Sequence, residues 1–76
     1  MSNFPSLTGR QVVRVLMKAG FRKASQEGSH LKMVHADGRI SVIPIHKGES
    51  IRVGLMSKIL KDIKLSREEF QKLIRD

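Results

Sequence analysis

The stretch Ser29–Ile45, SHLKMVHADGRISVIPI, decides the fold. Leu31 and Met33 alternate with His30 and Lys32, the two-residue period of a strand buried on one face. Asp37-Gly38 follows, a pair that favours a two-residue hairpin loop. The run Arg39–Ile45 then returns as another strand. Pro44 has no N–H to give a ladder, so this strand, or at least its end, belongs at a sheet edge. Upstream, FRKAS (residues 21–25) reads as a short strand that Glu27-Gly28 turns back. The expectation is a three-stranded antiparallel meander.

Helical periodicity flanks the meander on both sides. In LTGRQVVRVLMKAGF (residues 7–21), Thr8 and Gln11 form a capping box, and Val12, Val13, Val15, Leu16 and Ala19 share a face. Arg10, Arg14 and Lys18 form a ridge on the other side, and Gly20 is the stop. In IRVGLMSKILKDIKL (residues 51–65), Leu55, Met56, Ile59, Leu60 and Ile63 share one arc, with Lys58, Lys61 and Lys64 opposite. Ser66 and Glu69 box the start of a third helix carrying Phe70, Leu73 and Ile74. The order α-β-β-β-α-α implies an α+β two-layer sandwich, with helices on one sheet face and the other face partly free.

At 76 residues the chain is read as a single domain, residues 1–76, with a small core. Fifteen lysines and arginines against seven aspartates and glutamates give a net charge of +8. Such a field draws polyanions: RNA, DNA, an anionic membrane surface or an acidic protein all fit. With no cysteine, disulfides and thiolate metal sites are excluded, and the composition fits a reducing cytoplasm. No apolar run is long enough to span a membrane, and no signal-peptide core is evident. No phosphate-binding or dinucleotide-binding glycine motif is present, so no cofactor is expected.

The three histidines, His30, His35 and His46, match no zinc spacing, and no metal is expected. By strand parity His30 and Lys32 point away from the helices, on the face a polyanion would meet. Gly28 and Ser29 just before them allow close backbone or phosphate approach. His30 is open to several readings: an exposed strand histidine without a role, a metal ligand, an RNA contact or a proton-transfer group. His35 falls with Leu31 and Met33, shielding the core edge or contacting a turn. His46, beside Lys47, reads as a phosphate contact or a solvated loop residue. With no Tyr or Trp and three Phe, of which Phe21 and Phe70 look like core, an aromatic stacking platform is missing. Recognition of RNA by backbone and shape fits better. The candidate RNA-binding residues are Arg22, Lys23, Gly28, Ser29, Lys32, His46 and Lys47.

Three stretches, TGRQVVRVLMKAGF, QEGSHLKMVHADGR and ISVIPIHKGESIRVGLMSKILKDIKLSREEF, resemble the HicA-type toxin family over nearly all of Thr8–Phe70. The resemblance implies a fold similar to double-stranded-RNA-binding domains. It implies the toxin of a type II toxin–antitoxin pair, a metal-independent endoribonuclease acting on mRNA in the cytoplasm. It implies that His30, in the GSH step, is the catalytic histidine and general acid/base. It also implies a HicB-type antitoxin that covers the active site. Many members carry a second histidine directly after this one; here Leu31 stands there, so no role for that imidazole is carried over. The alternative reading is a non-catalytic RNA-binding module of the same fold. A third is a partner-binding subunit without nucleic-acid function.

Overall fold

The computed structural model describes residues 5–76, in the order α1 (Gly9–Lys18), β1 (Arg22–Glu27), β2 (His30–Val34), β3 (Ile40–Pro44), α2 (Val53–Ile63) and α3 (Arg67–Arg75). The strands form one antiparallel sheet in the order β1-β2-β3. Pro44 therefore sits in an edge strand, where its missing N–H costs no ladder bond. Leu31, Met33 and Ile43 turn to the helices and join one cluster with Val12, Leu16, Ile59, Ile63 and Phe70, all buried. This is the α+β layout the periodicities imply, with the opposite sheet face left to solvent.

The helix ends are fixed as their sequences dictate. Thr8 and Gln11 close a reciprocal capping box on α1, and Ser66 and Glu69 close another on α3. At the other end of α1, Gly20 adopts a φ of +97°. Its N–H goes to the Met17 carbonyl and the Phe21 N–H to the Leu16 carbonyl, completing a Schellman motif, and both Leu16 and Phe21 belong to the core cluster. Helix α2 ends on the same pattern, but the left-handed residue is Lys64, at φ 55°. Lys64 thus leaves the helical lysine stripe expected of it.

The turns differ from the expectation in two places. Between β1 and β2 the loop is Gly28-Ser29 rather than Glu27-Gly28, because Glu27 pairs with His30. Gly28, at φ +58°, supplies the positive φ that the first loop position of a type II′ hairpin needs. Between β2 and β3 the loop has three residues, Ala36–Gly38, since the His35 N–H bonds the Arg39 carbonyl. Gly38 takes the left-handed bulge position at φ +100°. This register brings Ser41, not Ile40 or Val42, under the helices. Ser41 is only 2% exposed and donates to the Asp62 carboxylate at 3.1 Å. Asp62 also pairs with Lys58 at 3.0 Å.

Strand β1 carries a one-residue bulge. Lys23 pairs with Met33 but Ser25 with Lys32, leaving Ala24 unpaired. An unbroken alternation back from Glu27 would put Lys23 on the face of His30 and Lys32. The bulge turns Lys23 to the helix side and Arg22 to the outer side.

Two contacts lock the layers together. Gly9 lies so close to β3 that a Cβ there would fall 1.9 Å from the Pro44 carbonyl oxygen. Beside it, Thr8 bridges Ser50, and the Ile51 N–H bonds the Leu7 carbonyl at 2.7 Å. At the far end Arg39 holds Asp37 at 2.9 Å, stacks 5.0 Å over Phe21 and donates to the Ile63 carbonyl at the end of α2. His35 packs edge-on against Phe21 at 5.0 Å, and its Nδ1 accepts the Asp37 N–H. An amide can only donate, so Nδ1 is an acceptor here, and the Asp37 carboxylate answers to Arg39. His35 is thus both core shield and turn contact.

Replacing Gly9 with Ala forces a methyl into backbone that cannot yield, and should cost about 2–3 kcal/mol, read as a lower urea midpoint. The hydrogen bond from Arg39 holds the Asp37 carboxyl below its ordinary value of 3.8. The Ser66 cap likewise holds Glu69 below 4.5. Depressed carboxyls stabilise the fold above their ordinary values and lose that contribution as pH falls through the folded ones. The melting temperature should therefore drop as pH falls from about 5 toward 2. Asp37→Asn should flatten the fall; an unchanged slope would count against the Arg39 contact.

Candidate functional site

The outer sheet face is read in rows of cross-strand neighbours. Glu27, His30 and Pro44 form one row, Ser25, Lys32 and Val42 the next, and Arg22, Val34 and Ile40 the last. His30 and Lys32 are exposed and share this face, as strand parity requires. Ile40 and Val42 are each 47% exposed and, with half-buried Val34, add an apolar patch beside the two polar residues.

At the Gly28-Ser29 end the strand pairing continues one step past β3. The Ile45 N–H bonds the Ser29 carbonyl at 2.7 Å. The next residue, His46, is thereby carried to the outer side beside His30. The two imidazoles stand edge to face, with centroids 6.4 Å apart. The Ser29 hydroxyl lies 3.2 Å from His46 Nε2. That hydroxyl can donate to an unprotonated ring nitrogen or accept from a protonated one. Gly28 is exposed at the hairpin tip, where its carbonyl accepts from the Gln26 side chain at 2.9 Å.

Of the sequence-derived candidates, Ser29, His30 and His46 are therefore brought together. Gly28 and exposed Lys47 adjoin them in the two neighbouring loops, and Lys32 is two residues along the same face. Arg22 lies at the other end of the sheet, opposite Val34. Lys23 is on the other face altogether. The pairing of His30 with His46 was not foreseen from sequence. The signal for it is the register of His30 with Pro44 continued by two residues.

The basic ridge of α1 is not uniform either. Lys18 is engaged, donating to the Leu73 and Asp76 carbonyls at 3.1 and 3.0 Å and so closing the end of α3. Among the described residues no group of three or more histidines and carboxylates is placed to hold a metal ion. No helix among them is long and apolar enough to cross a membrane.

A sequence model described as the HicA toxin of bacterial toxin-antitoxin systems matches residues 9–65. The chain belongs to the HicA toxin family. Membership makes it a toxin and implies a cognate antitoxin partner. The matched span contains both histidines of the pair and ends just past α2, leaving α3 outside it. No curated protein matches the chain closely enough to be counted.

Ser29→Ala should leave the fold intact and remove the contact to His46. In nitrogen-15 spectra the His46 Nε2 resonance should move while those of His35 stay; a stationary His46 would rule out the contact.

Proposed function

We propose that this HicA toxin is an endoribonuclease acting on mRNA, and that His30 and His46 are its proton-transfer pair. The observation that carries the reading is the juxtaposition of two imidazoles, 6.4 Å apart, on an exposed face of a strongly basic molecule. RNA brings its own nucleophile, the 2′-hydroxyl, so the reaction needs a base, an acid and positive charge. It needs no metal.

In this reading His30 takes the 2′-hydroxyl proton as that oxygen attacks the adjacent phosphorus. The bond from phosphorus to the 5′-oxygen breaks, and protonated His46 gives a proton to the leaving oxygen. The products are a 2′,3′-cyclic phosphate and a 5′-hydroxyl, and the two histidines end with their protonation states exchanged. Ser29 supports His46 in the acid role. Its hydroxyl accepts one N–H of the imidazolium and leaves the other for transfer. Lys32, on the same face, and Lys47, in the next loop, supply charge for the pentacovalent phosphorus. Imidazole is the side chain suited to both proton transfers near neutral pH.

The same face suits the antitoxin. Covering His30 and Lys32 together with the Ile40–Val42 patch would bury on the order of 800 Å² per partner, with an apolar centre and a polar rim. The toxin acts where mRNA is found, in the cytoplasm. Without catalysis, the exposed basic face still suits a non-catalytic RNA-binding module.

The test is cleavage of a labelled RNA, in EDTA, by the wild-type chain and by His30→Ala and His46→Ala. Each variant should fold and lose at least about 100-fold in rate, the contribution of one acid–base group. Wild-type rate should pass through a maximum with pH, and each single variant should lose one limb of that profile. Products ending in 3′-hydroxyl groups would exclude the mechanism. Full activity of His46→Ala would remove His46 from it. RNA binding without cleavage by any of the three proteins would favour the binding module.

A further inference from the structure

The proposed chemistry uses the outer face, yet unengaged positive charge also gathers on the other side of β1. Arg10 and Arg14 of α1 and Lys23 of β1 line one groove between the helix and the strand. Its floor is Val13, Leu31 and Ile45. Three other cations have partners: Lys18 holds the end of α3, Lys58 pairs with Asp62, and Arg39 pairs with Asp37. No carboxylate pairs with Arg10, Arg14 or Lys23 among the described residues. Three unpaired cations thus converge on a groove of about 320 Å³, open to solvent.

Resting on the ribonuclease reading, we infer that this groove is a track for the phosphodiester backbone of the RNA substrate, held by Arg10, Arg14 and Lys23. Three features favour a nucleic-acid strand. Arg10 and Arg14 are one helical turn apart, about 6 Å along the axis, on the scale of the separation of successive phosphates. Guanidinium groups meet phosphate oxygens through two parallel hydrogen bonds. The groove also leads to the histidines. Gln26 and Ile45 belong to its lining, and they bond the two residues of the β1–β2 turn, Gln26 through its side chain to Gly28 and Ile45 through its N–H to Ser29. A strand leaving the groove crosses that turn and arrives beside His30 and His46. The track explains how a site with two exposed histidines and no aromatic platform holds a flexible substrate: affinity comes from backbone charge, remote from the bond that breaks.

The experiment measures binding of a single-stranded RNA by the full chain carrying His30→Ala, which removes cleavage. Arg10→Gln, Arg14→Gln and Lys23→Gln are added together, with Lys61→Gln, Lys64→Gln and Arg75→Gln as a charge-matched control. All six positions are exposed, so folding, checked by circular dichroism, should persist; single Arg14→Gln and Lys23→Gln chains serve if the triple variant does not fold. The groove variant should bind about 10- to 100-fold more weakly near physiological salt, and its plot of log affinity against log salt should be shallower by about 2, from three lost phosphate contacts. The control should retain both affinity and slope within about a third of the groove effect. Groove and control variants losing affinity equally would overturn the track and leave only a diffuse field. Undiminished RNA binding by the groove variant would overturn it too, with the histidine chemistry intact. If that variant instead loses binding to the antitoxin while keeping RNA, the groove belongs to the protein partner and the inference fails. If the parent chain binds no RNA at low salt, both the track and the ribonuclease reading fall.

Discussion

The absent side chain of Gly9 is the constraint on which the site depends. Helix α1 starts against the backbone of Pro44 and Ile45, at a distance no other residue tolerates. Pro44 is the cross-strand partner of His30, and Ile45 bonds Ser29. Just before α1, Leu7 and Thr8 bond Ile51 and Ser50 across the loop that carries His46. One imidazole comes from β2 and the other from the loop after β3, but one helix N-terminus braces the backbone under both. That is how a molecule this small holds an exposed pair in place without burying either ring.

The positive charge divides by role. Lys18, Lys58 and Arg39 serve the fold: one closes α3, one neutralises the carboxylate that receives the Ser41 hydroxyl, one ties the β2–β3 turn to the end of α2. Five of the others fall into two groups. Lys32 and Lys47 attend the histidines, while Arg10, Arg14 and Lys23 gather in the groove behind β1. A net charge is a statement about attraction in general. Only the pairing pattern distinguishes which charges are available to a partner.

Much of the fold was legible in the residues. Capping boxes, Gly20 and the alternation of Leu31 and Met33 name the elements and most of their buried faces. The elements that escaped share one cause: register. Asp37-Gly38 suggests a two-residue loop, yet the chain uses three, and the buried position opposite Met33 falls on Ser41. Local turn preference did not reveal that Asp62 waits on α2 to receive that hydroxyl. The candidate site was legible in part for the same reason. Parity put His30 and Lys32 together on the outer face. It could not bring His46 beside them, because that depends on pairing continued beyond the strand. It could not send Lys23 to the opposite side either, because alternation carries no mark of a bulge.

The bulge at Ala24 sets the electrostatic pattern by counting residues rather than by choosing them. Pairing Ala24 with Met33 in an unbulged strand would leave the net charge, the isoelectric point and the mean hydropathy untouched. It would nevertheless move a lysine from the groove to the histidine face and an arginine off that face. Two chains of nearly identical composition could thus present different potentials to RNA and to an antitoxin. In this small sheet, strand register is itself a way of addressing charge.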